Sequence, residues 1–261
     1  MKGKWRLLVS SLLMVGLLFM LAGCGGKGAD KAAEKPKKII VGTNATFPPF
    51  ESQEKGELVG FDIDLIRAIC EVQGYEVEIK HMGFEALIPA VQQGKIDAAI
   101  SGMSITEERQ KVVDFSDPYF NAGLIIAVRN DNTTINSTDD LRGKKLAAQT
   151  GTIGAAYCDR VKEQDPSTVV KHFKDIGEAF MELKKGGVDA VINDYPVTLN
   201  YILTTEDANI KMVGEVFSAD DKYGIAVKKG NTELLNMINE GLKKIKENGT
   251  YDKIYQKYFQ Q

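Results

Sequence analysis

The sequence Glu85-Ala-Leu-Ile-Pro-Ala-Val-Gln-Gln-Gly-Lys-Ile-Asp-Ala-Ala-Ile-Ser-Gly102 combines a helical pattern, a glycine that stops the helix, and a buried strand. The stretch Glu178-Ala-Phe-Met-Glu-Leu-Lys-Lys-Gly-Gly-Val-Asp-Ala-Val-Ile-Asn-Asp194 repeats this order later in the chain. Two similar α/β units favour a fold with two lobes, although such units also recur inside single domains.

The same alternation of strands and helices extends outward from these two stretches. The apolar patterns predict strands at Lys38–Thr43, Tyr75–Lys80 and Ile96–Ser101, and helices at Phe61–Gln73, Phe84–Gln93, Thr232–Asn248 and Tyr251–Phe259. Such alternation is typical of an α/β fold in which mostly parallel sheets are flanked by helices.

The first residues have the features of a secretory signal. Three basic residues lie within the first six positions, and an uncharged apolar run follows at Leu7–Leu21. Leu-Ala-Gly-Cys at Leu21–Cys24 resembles a lipobox, which implies cleavage of residues 1–23 and lipid on Cys24. Residues 24–38 are polar and are interpreted as a flexible linker. An uncleaved membrane anchor is the alternative.

Composition excludes several classes of function. The 261 residues carry 33 Lys and Arg against 36 Asp and Glu, a net charge of −3, so there is no basic excess to attract a nucleic acid. Three Cys and two His are too few for a disulfide framework or a Cys/His metal cage. The sequence has no nucleotide-binding glycine motif and no HExxH motif, and no cofactor is predicted. Ser52-x-x-Lys55 matches the SxxK motif of β-lactamases and penicillin-binding proteins. It lies in a polar turn, however, and the sequence lacks the SDN and KTG motifs that accompany SxxK in those enzymes.

Opposite charges lie where a ligand cleft is expected. Ligands of open α/β sheets bind beyond the carboxyl ends of the strands, here Ser101–Ser104 and Asn193–Asp194. Arg109 follows the first of these ends in a short helix opened by Thr106, and an arginine can hold a carboxylate through two parallel hydrogen bonds. Asp194 ends a buried strand, where a lone carboxylate is costly. A zwitterion would satisfy both charges, and internal salt bridges are the alternative.

Two pairs of nearby acids have a simpler interpretation. Asp62 and Asp64 begin a helix, and Asp220 and Asp221 lie in a predicted turn. A favourable interaction with the helix dipole explains the first pair better than acid–base catalysis does, and a solvated turn explains the second.

The sequence resembles the extracellular solute-binding proteins of family 3, which serve polar amino-acid ABC transporters. The matching motifs cover nearly all of residues 39–259 and are GTNATFPPFE at Gly42–Glu51, GFDIDL at Gly60–Leu65, ITEER at Ile105–Arg109, DFSDPY at Asp114–Tyr119, Gly151–Thr152, Asn193–Asp194, YGIA at Tyr223–Ala226 and NGTYDKIY at Asn248–Tyr255. The resemblance implies a two-lobed Venus-flytrap with two crossovers, near Tyr119–Gly123 and Ala219–Tyr223. Lobe I would comprise residues 39–121 and 224–261, and lobe II residues 122–223.

The resemblance also implies a ligand site. Arg109 would bind the α-carboxylate of an amino acid, helped by Gly102, Ser104 and Thr152, and Asp194 would bind the α-ammonium. Phe47 and Phe84 would enclose the aliphatic stem. The residues left to contact the side chain are Asn44, Gln149, Asn193 and Glu51.

The family resemblance implies a binding protein and not an enzyme. It would capture a free amino acid and deliver it to an ABC transporter permease, as a monomer held outside the cytoplasm by its lipid. Glutamine or a similar neutral ligand is favoured because Asn44 and Gln149 offer uncharged amides. Arginine or lysine is the alternative, and it needs Glu51 to turn inward. A ligand sensor and a dehydratase on the same fold are the other possibilities.

Overall fold

The computed structural model describes residues 37–260, so the signal, Cys24 and most of the linker lie outside the described residues. Its strands are β1 Lys37–Thr43, β2 Thr46–Phe47, β3 Glu51–Glu54, β4 Glu57–Val59, β5 Tyr75–His81, β6 Ala98–Ala99, β7 Val113–Phe115, β8 Phe120–Asn121, β9 Leu124–Arg129, β10 Lys145–Gln149, β11 Val169–Phe173, β12 Ala190–Asp194, β13 Ile210–Phe217, β14 Lys222–Tyr223 and β15 Ala226–Lys228. Its helices are α1 Phe61–Val72, α2 Phe84–Gln92, α3 Glu107–Gln110, α4 Ile153–Gln164, α5 Ile176–Lys184, α6 Tyr195–Thr204, α7 Thr232–Glu247 and α8 Thr250–Phe259.

Two five-stranded sheets organise the fold, and they have the same pattern of directions. The first has the order β5-β1-β6-β15-β7, and the second has the order β11-β10-β12-β9-β13. In each sheet the first three strands run parallel and the fourth is antiparallel to both of its neighbours. The prediction of mostly parallel sheets is therefore confirmed.

Apolar helix faces cover both sheets. α1 packs on β5 and against α7 and α8, and it buries Ile63, Leu65, Ile66 and Ile69 completely. α4 and α5 pack on β10 and β12 of the second sheet. Helix ends follow local signals, because α1 stops just before Gly74, whose φ of 71° is a conformation that favours glycine.

The chain passes between the two sheets twice. β8 lies in the first passage and pairs antiparallel with β14, which lies in the second, so the two crossover segments lie side by side. β2, β3 and β4 form a separate three-stranded sheet. The exact lobe boundaries, 121/122 and 223/224, stay a prediction.

The predicted strand at Ile96–Ser101 is shorter than expected. Only Ala98 and Ala99 form β6, because ladder pairing with β1 on one side and β15 on the other is limited to these two residues. The residues on either side, Ile96, Ile100 and Ser101, are buried without extending the ladder. Across residues 37–260, none of the helices combines the length and the apolar character that a membrane span requires.

Candidate functional site

A narrow cavity lies at the carboxyl ends of the parallel strands, between the two sheets. Its lining comes from both sheets and consists of Asn44, Phe47, Glu51, Phe84, Ser101, Gly102, Ser104, Arg109, Gln149, Thr152, Ile153 and Asp194. Ten of the eleven ligand-site residues named from the sequence are among these, and Asn193 is the exception. Their assignment to a ligand stays a prediction, and the structure brings them to one place.

Arg109 is held by groups from both sides of the cavity. Thr106 caps α3, because its side-chain oxygen accepts the Arg109 backbone N–H at 3.2 Å. The Nη1 of the guanidinium donates to the Ser104 carbonyl at 2.6 Å, and Nη2 donates to the Gly151 carbonyl at 2.9 Å. The guanidinium carbon lies 5.4 Å from the centre of the Phe84 ring. Arginine stays charged in proteins, so a fixed cation lines the cavity.

Asp194 supplies a buried carboxylate at the end of β12. Its residue is 5% exposed, and its Oδ1 has no hydrogen-bond partner within the described chain. The pKa of Asp194 is raised to about 8: burial is the largest cause and the nearby Asp221 adds to it, whereas the nearby Tyr223 hydroxyl and Arg109 act in the opposite direction. A buried acceptor without a donor favours a cationic ligand group.

Asp221 corrects the interpretation of the second acid pair. Asp220 is exposed, as a solvated turn requires, but Asp221 is only 8% exposed and lies in the second crossover. Burial raises the pKa of Asp221, and the Ser104 hydroxyl, Arg109 and the Gly123 amide lower it. The solvated-turn prediction was wrong for this residue, because the fold buries its carboxyl near the Ser104 hydroxyl and within the electrostatic influence of Arg109. No sequence signal distinguishes the two adjacent aspartates.

Gly102 packs against an aromatic wall of the cavity. Its φ is 49°, and a Cβ atom here would lie 3.1 Å from the Phe47 ring, so both backbone and space favour glycine. Phe47 and Phe84 are 5% and 8% exposed and line the cavity, as expected for rings that enclose an apolar stem. The Gly102 N–H donates to Asp62 at 2.8 Å. This amide is therefore already used within the protein.

Asn44 and Gln149 contact each other across the cavity. The Gln149 Nε2 donates to the Asn44 Oδ1 at 2.8 Å and to the Lys174 carbonyl at 3.1 Å. The Asn44 Nδ2 donates to the Met82 carbonyl at 3.2 Å and to the Asp175 Oδ1 at 3.3 Å. The two amides that were predicted to contact the ligand side chain are therefore hydrogen-bonded to each other in this structure.

Glu51 and Asp62 form a buried acid pair. Glu51 lines the cavity and Asp62 lies behind it in the first turn of α1, and both are 0% exposed. The Ser101 hydroxyl donates to the Glu51 Oε1 at 2.7 Å, and the Tyr119 hydroxyl donates to the Asp62 Oδ2 at 2.7 Å. The interpretation of Asp62 as a helix-start residue is confirmed, but its carboxyl does not act as a cap. It is committed to the interior instead.

Three of the predicted residues have structural partners of their own. Thr152 caps α4 by accepting the Ala155 N–H at 3.1 Å, and its hydroxyl donates to the Gln149 carbonyl at 2.7 Å. The backbone of Ser104 forms an isolated antiparallel β-bridge with Tyr223. Asn193 is buried but does not line the cavity, because its amide donates to the Thr198 Oγ1 at 3.2 Å on the first turns of α6. Its ligand role has no support in this geometry.

Two relatives align with more than nine tenths of this chain. A probable histidine-binding protein of Neisseria gonorrhoeae is 36% identical over 244 residues, which cover 92% of this chain and 90% of that protein. The ABC transporter glutamine-binding protein GlnH of Bacillus subtilis is also 36% identical, with 97% of each chain covered.

Solved structures share the fold. An ancestral arginine-binding protein bound to arginine is 50% identical, has a TM-score of 0.83, and aligns over 87% of this chain and 100% of that chain. A structure of an ancestral arginine-binding protein bound to glutamine is also 50% identical over the same shares, with a TM-score of 0.81. The fold is therefore the two-lobed fold of periplasmic binding proteins.

The family comparison agrees with the motifs, the two sheets and the cavity between them. The model of the bacterial extracellular solute-binding proteins, family 3, matches residues 39–261. On that match, this chain belongs to the bacterial extracellular solute-binding proteins of family 3.

Proposed function

We propose that this protein is the substrate-binding protein of an ABC importer and captures a polar L-amino acid between its lobes. Arg109 binds the α-carboxylate, Asp194 binds the α-ammonium, and the Phe47 and Phe84 rings enclose the stem. The observation that supports this proposal is that one cavity contains both the Arg109 guanidinium and a buried Asp194 oxygen that has no hydrogen-bond partner within the described residues. A zwitterionic ligand neutralises both groups.

A cationic side chain, that of arginine or lysine, fits the cavity best. The lining holds one cation, Arg109, and two carboxyls, Glu51 and Asp194. The α-groups of the ligand balance Arg109 and Asp194, which leaves Glu51 without a counter-charge. The sequence preference for glutamine depended on Glu51 facing away, whereas Glu51 is wholly buried against the cavity. A guanidinium or ammonium supplies the missing charge.

Glutamine remains the second candidate because of a specific observation. Asn44 and Gln149 present an amide pair to the cavity, joined by a 2.8 Å hydrogen bond. A ligand amide can replace either partner in that bond with the same donors and acceptors. The similarity to structures bound to arginine and to glutamine supports both candidates.

Competition calorimetry with arginine, lysine, histidine, glutamine, asparagine and cystine tests the proposal. We expect arginine or lysine to bind at least about tenfold tighter than glutamine, because a buried carboxylate discriminates strongly by charge. Glu51→Gln should remove that preference and keep glutamine binding, while Glu71→Gln, on the exposed side of α1, should change neither. Equal or tighter binding of glutamine by the wild type would overturn the cationic assignment. Binding of no amino acid would overturn the function, and conversion of one to product would reveal an enzyme.

We also propose that lipid on Cys24 anchors the protein outside the cytoplasm, where the permease takes the ligand from it. The support is the sequence Leu21–Cys24 at the end of an apolar run. Cys24→Ala should release the protein from membranes or leave its precursor uncleaved, as judged by fractionation and mass spectrometry. A variant that is processed and remains fully membrane-bound would contradict the anchor. Size-exclusion chromatography with light scattering tests the expected monomer.

A further inference from the structure

We propose that Glu51 holds a proton that it donates to Asp62 in the ligand-free protein, and that a cationic ligand side chain displaces this proton into the solvent. This inference rests on the proposed binding of an amino acid in the cavity. It assigns a specificity role to Asp62, a residue that does not line the cavity.

The hydrogen bonds of the pair leave one position for a proton. One oxygen of each carboxyl has a fixed donor: the Ser101 hydroxyl for the Glu51 Oε1, and the Gly102 N–H and the Tyr119 hydroxyl for the Asp62 Oδ2. The remaining Glu51 Oε2 and Asp62 Oδ1 are buried and have no donor within residues 37–260. Because the two carboxyls are in hydrogen-bonding contact, a proton on one of them satisfies both oxygens.

Electrostatics require that proton as well. Two carboxylates in contact cannot both ionise in a dry interior, and neither of these is exposed. Burial raises the pKa of Glu51 well above its ordinary value, and Asp62 raises it further. Burial raises the pKa of Asp62 to about 7, against the opposing effect of its Gly102, Tyr119 and Glu51 donors. Asp62 already accepts from the Gly102 N–H and the Tyr119 hydroxyl, whereas Glu51 accepts only from the Ser101 hydroxyl, so the negative charge is better stabilised on Asp62 and the proton belongs on Glu51.

The other ionisable groups around the pair do not take over this role. The Tyr119 hydroxyl donates to Asp62, and the Tyr223 and Tyr251 phenols interact with Asp62 electrostatically. Burial raises the pKa of each of these phenols, so they remain neutral. Across the cavity, Arg109 and Asp194 bind the α-carboxylate and the α-ammonium of the ligand in the proposed function, so they do not neutralise Glu51. A ligand guanidinium beside Glu51 is then the cation that allows both acids to ionise.

The consequence is a difference between ligands. Arginine supplies a charge to Glu51 and expels its proton, whereas glutamine leaves that proton in place. Asp194, with a pKa raised to about 8, meets the α-ammonium of either ligand and contributes equally to both. Arginine should therefore release about one proton more than glutamine, and its affinity relative to glutamine should fall as the pH is lowered, by up to about tenfold per pH unit for each displaced proton.

Calorimetry of the full protein at pH 8, in buffers of different ionisation enthalpy, counts these protons for arginine and for glutamine. Asp62→Asn should reduce the extra release with arginine, because the new amide donates to Glu51 and removes the neighbouring charge. Its retained oxygen can still accept the Gly102 N–H and the Tyr119 hydroxyl. Glu71→Gln, on the same helix, should behave as wild type. Arginine that binds but releases no more protons than glutamine would overturn this inference and leave the proposed function standing.

A measurement on the ligand-free protein can detect the proton on Glu51 independently of ligand binding. The infrared difference spectrum at pH 8 between wild type and Glu51→Gln should contain the carbonyl band of a buried protonated carboxyl. The same difference taken with Glu71→Gln should lack it. A spectrum that shows only an ionised carboxylate at Glu51 would overturn the inference, including in the case that Asp62→Asn fails to fold.

Discussion

At the scale of single residues, the site depends on side chains whose partners hold them in one orientation. Arg109 spans the cavity through carbonyls of Ser104 and Gly151, which fixes the plane of its guanidinium before any ligand arrives. Asp194 is fixed differently, by burial at a strand end. In the proposed function, this rigid cation and buried anion together bind the α-carboxylate and α-ammonium groups that all α-amino acids share.

Replacing Arg109 tests the carboxylate contact. Arg109→Ala should weaken ligand binding by about 2–5 kcal/mol, the range for truncating one partner of a buried hydrogen-bonded charge pair. Arg109→Lys is the matched control, because it keeps the positive charge but cannot form two parallel hydrogen bonds to a carboxylate. Its affinity for the ligand should lie between those of the wild type and Arg109→Ala. Isothermal titration calorimetry measures all three proteins. Wild-type affinity in the alanine variant would show that Arg109 does not hold the ligand.

Replacing Asp194 tests the ammonium contact. Asp194→Asn keeps the size and removes the negative charge, so we expect strongly weakened binding of every amino acid that the wild type binds. In the wild type, a proton competes with the ligand below pH 8, because the pKa of Asp194 is raised to about 8. Affinity for glutamine should therefore rise from pH 6 to pH 8, and this rise should vanish in Asp194→Asn. A pH dependence shared by both proteins would assign it to another group.

At the scale of elements, local signals place the helices, and long-range contacts decide what their ends do. Asp175 occupies the N-cap position of α5 but makes no capping hydrogen bond to its own helix. Its Oδ1 accepts from the Thr46 Oγ1 at 2.9 Å and from the Asn44 Nδ2 at 3.3 Å. The residue therefore links α5 of the second sheet's layer to β2, on the opposite side of the cavity.

This link predicts the behaviour of an Asp175 variant. Hydrogen bonds to a charged group contribute about 1.5–3 kcal/mol, so Asp175→Ala should loosen the contact between the two sides of the cavity. We expect a larger radius of gyration for the ligand-free variant in small-angle X-ray scattering. Asp175→Asn keeps an oxygen acceptor and should stay close to wild type. Identical scattering from the alanine variant and wild type would show that this contact does not hold the lobes together.

At the scale of the whole molecule, buried acids link folding to pH. Asp62 and Asp194 have pKa values raised to about 7 and about 8, above those of the unfolded chain, where Asp titrates near 4. The folded state therefore binds more protons than the unfolded state between these values. Stability from this source is complete below about pH 4 and is lost as pH rises through about 7 to 8.

The ligand-free protein should therefore unfold more readily at pH 8 than at pH 5.5. Glu51→Gln removes one of the titrating buried carboxyls and should make the pH dependence of the free energy of unfolding shallower, while Glu71→Gln should not. Urea unfolding at several pH values measures these slopes. Stability that rises steadily from pH 5.5 to pH 8 would contradict the raised pKa values. Saturating ligand should offset part of the loss at pH 8, because it binds only the folded state.

Much of the fold could be predicted from local patterns. The apolar spacing at Phe61–Val72 and the following Gly74 determine helix α1 and its end, because both depend on neighbours along the chain. Arg109 and Asp194 could be identified as candidate site residues from their positions after strand ends together with the family resemblance. The insertion of β15, from the far end of the chain, between β6 and β7 could not, because hydrogen-bonded neighbours in a sheet need not be neighbours in sequence.

The sequence by itself determined the α/β alternation, the family motifs and the charged residues available for a ligand. Only the tertiary structure decided which acids are chemically unusual. Asp62 and Asp64 lie two positions apart in one helix, yet Asp62 is fully buried beside Glu51 and Asp64 pairs with Lys257 near the surface. Asp220 and Asp221 differ in the same way. The physical reason is that residue type sets a charge, whereas burial and partners from distant segments set its energy.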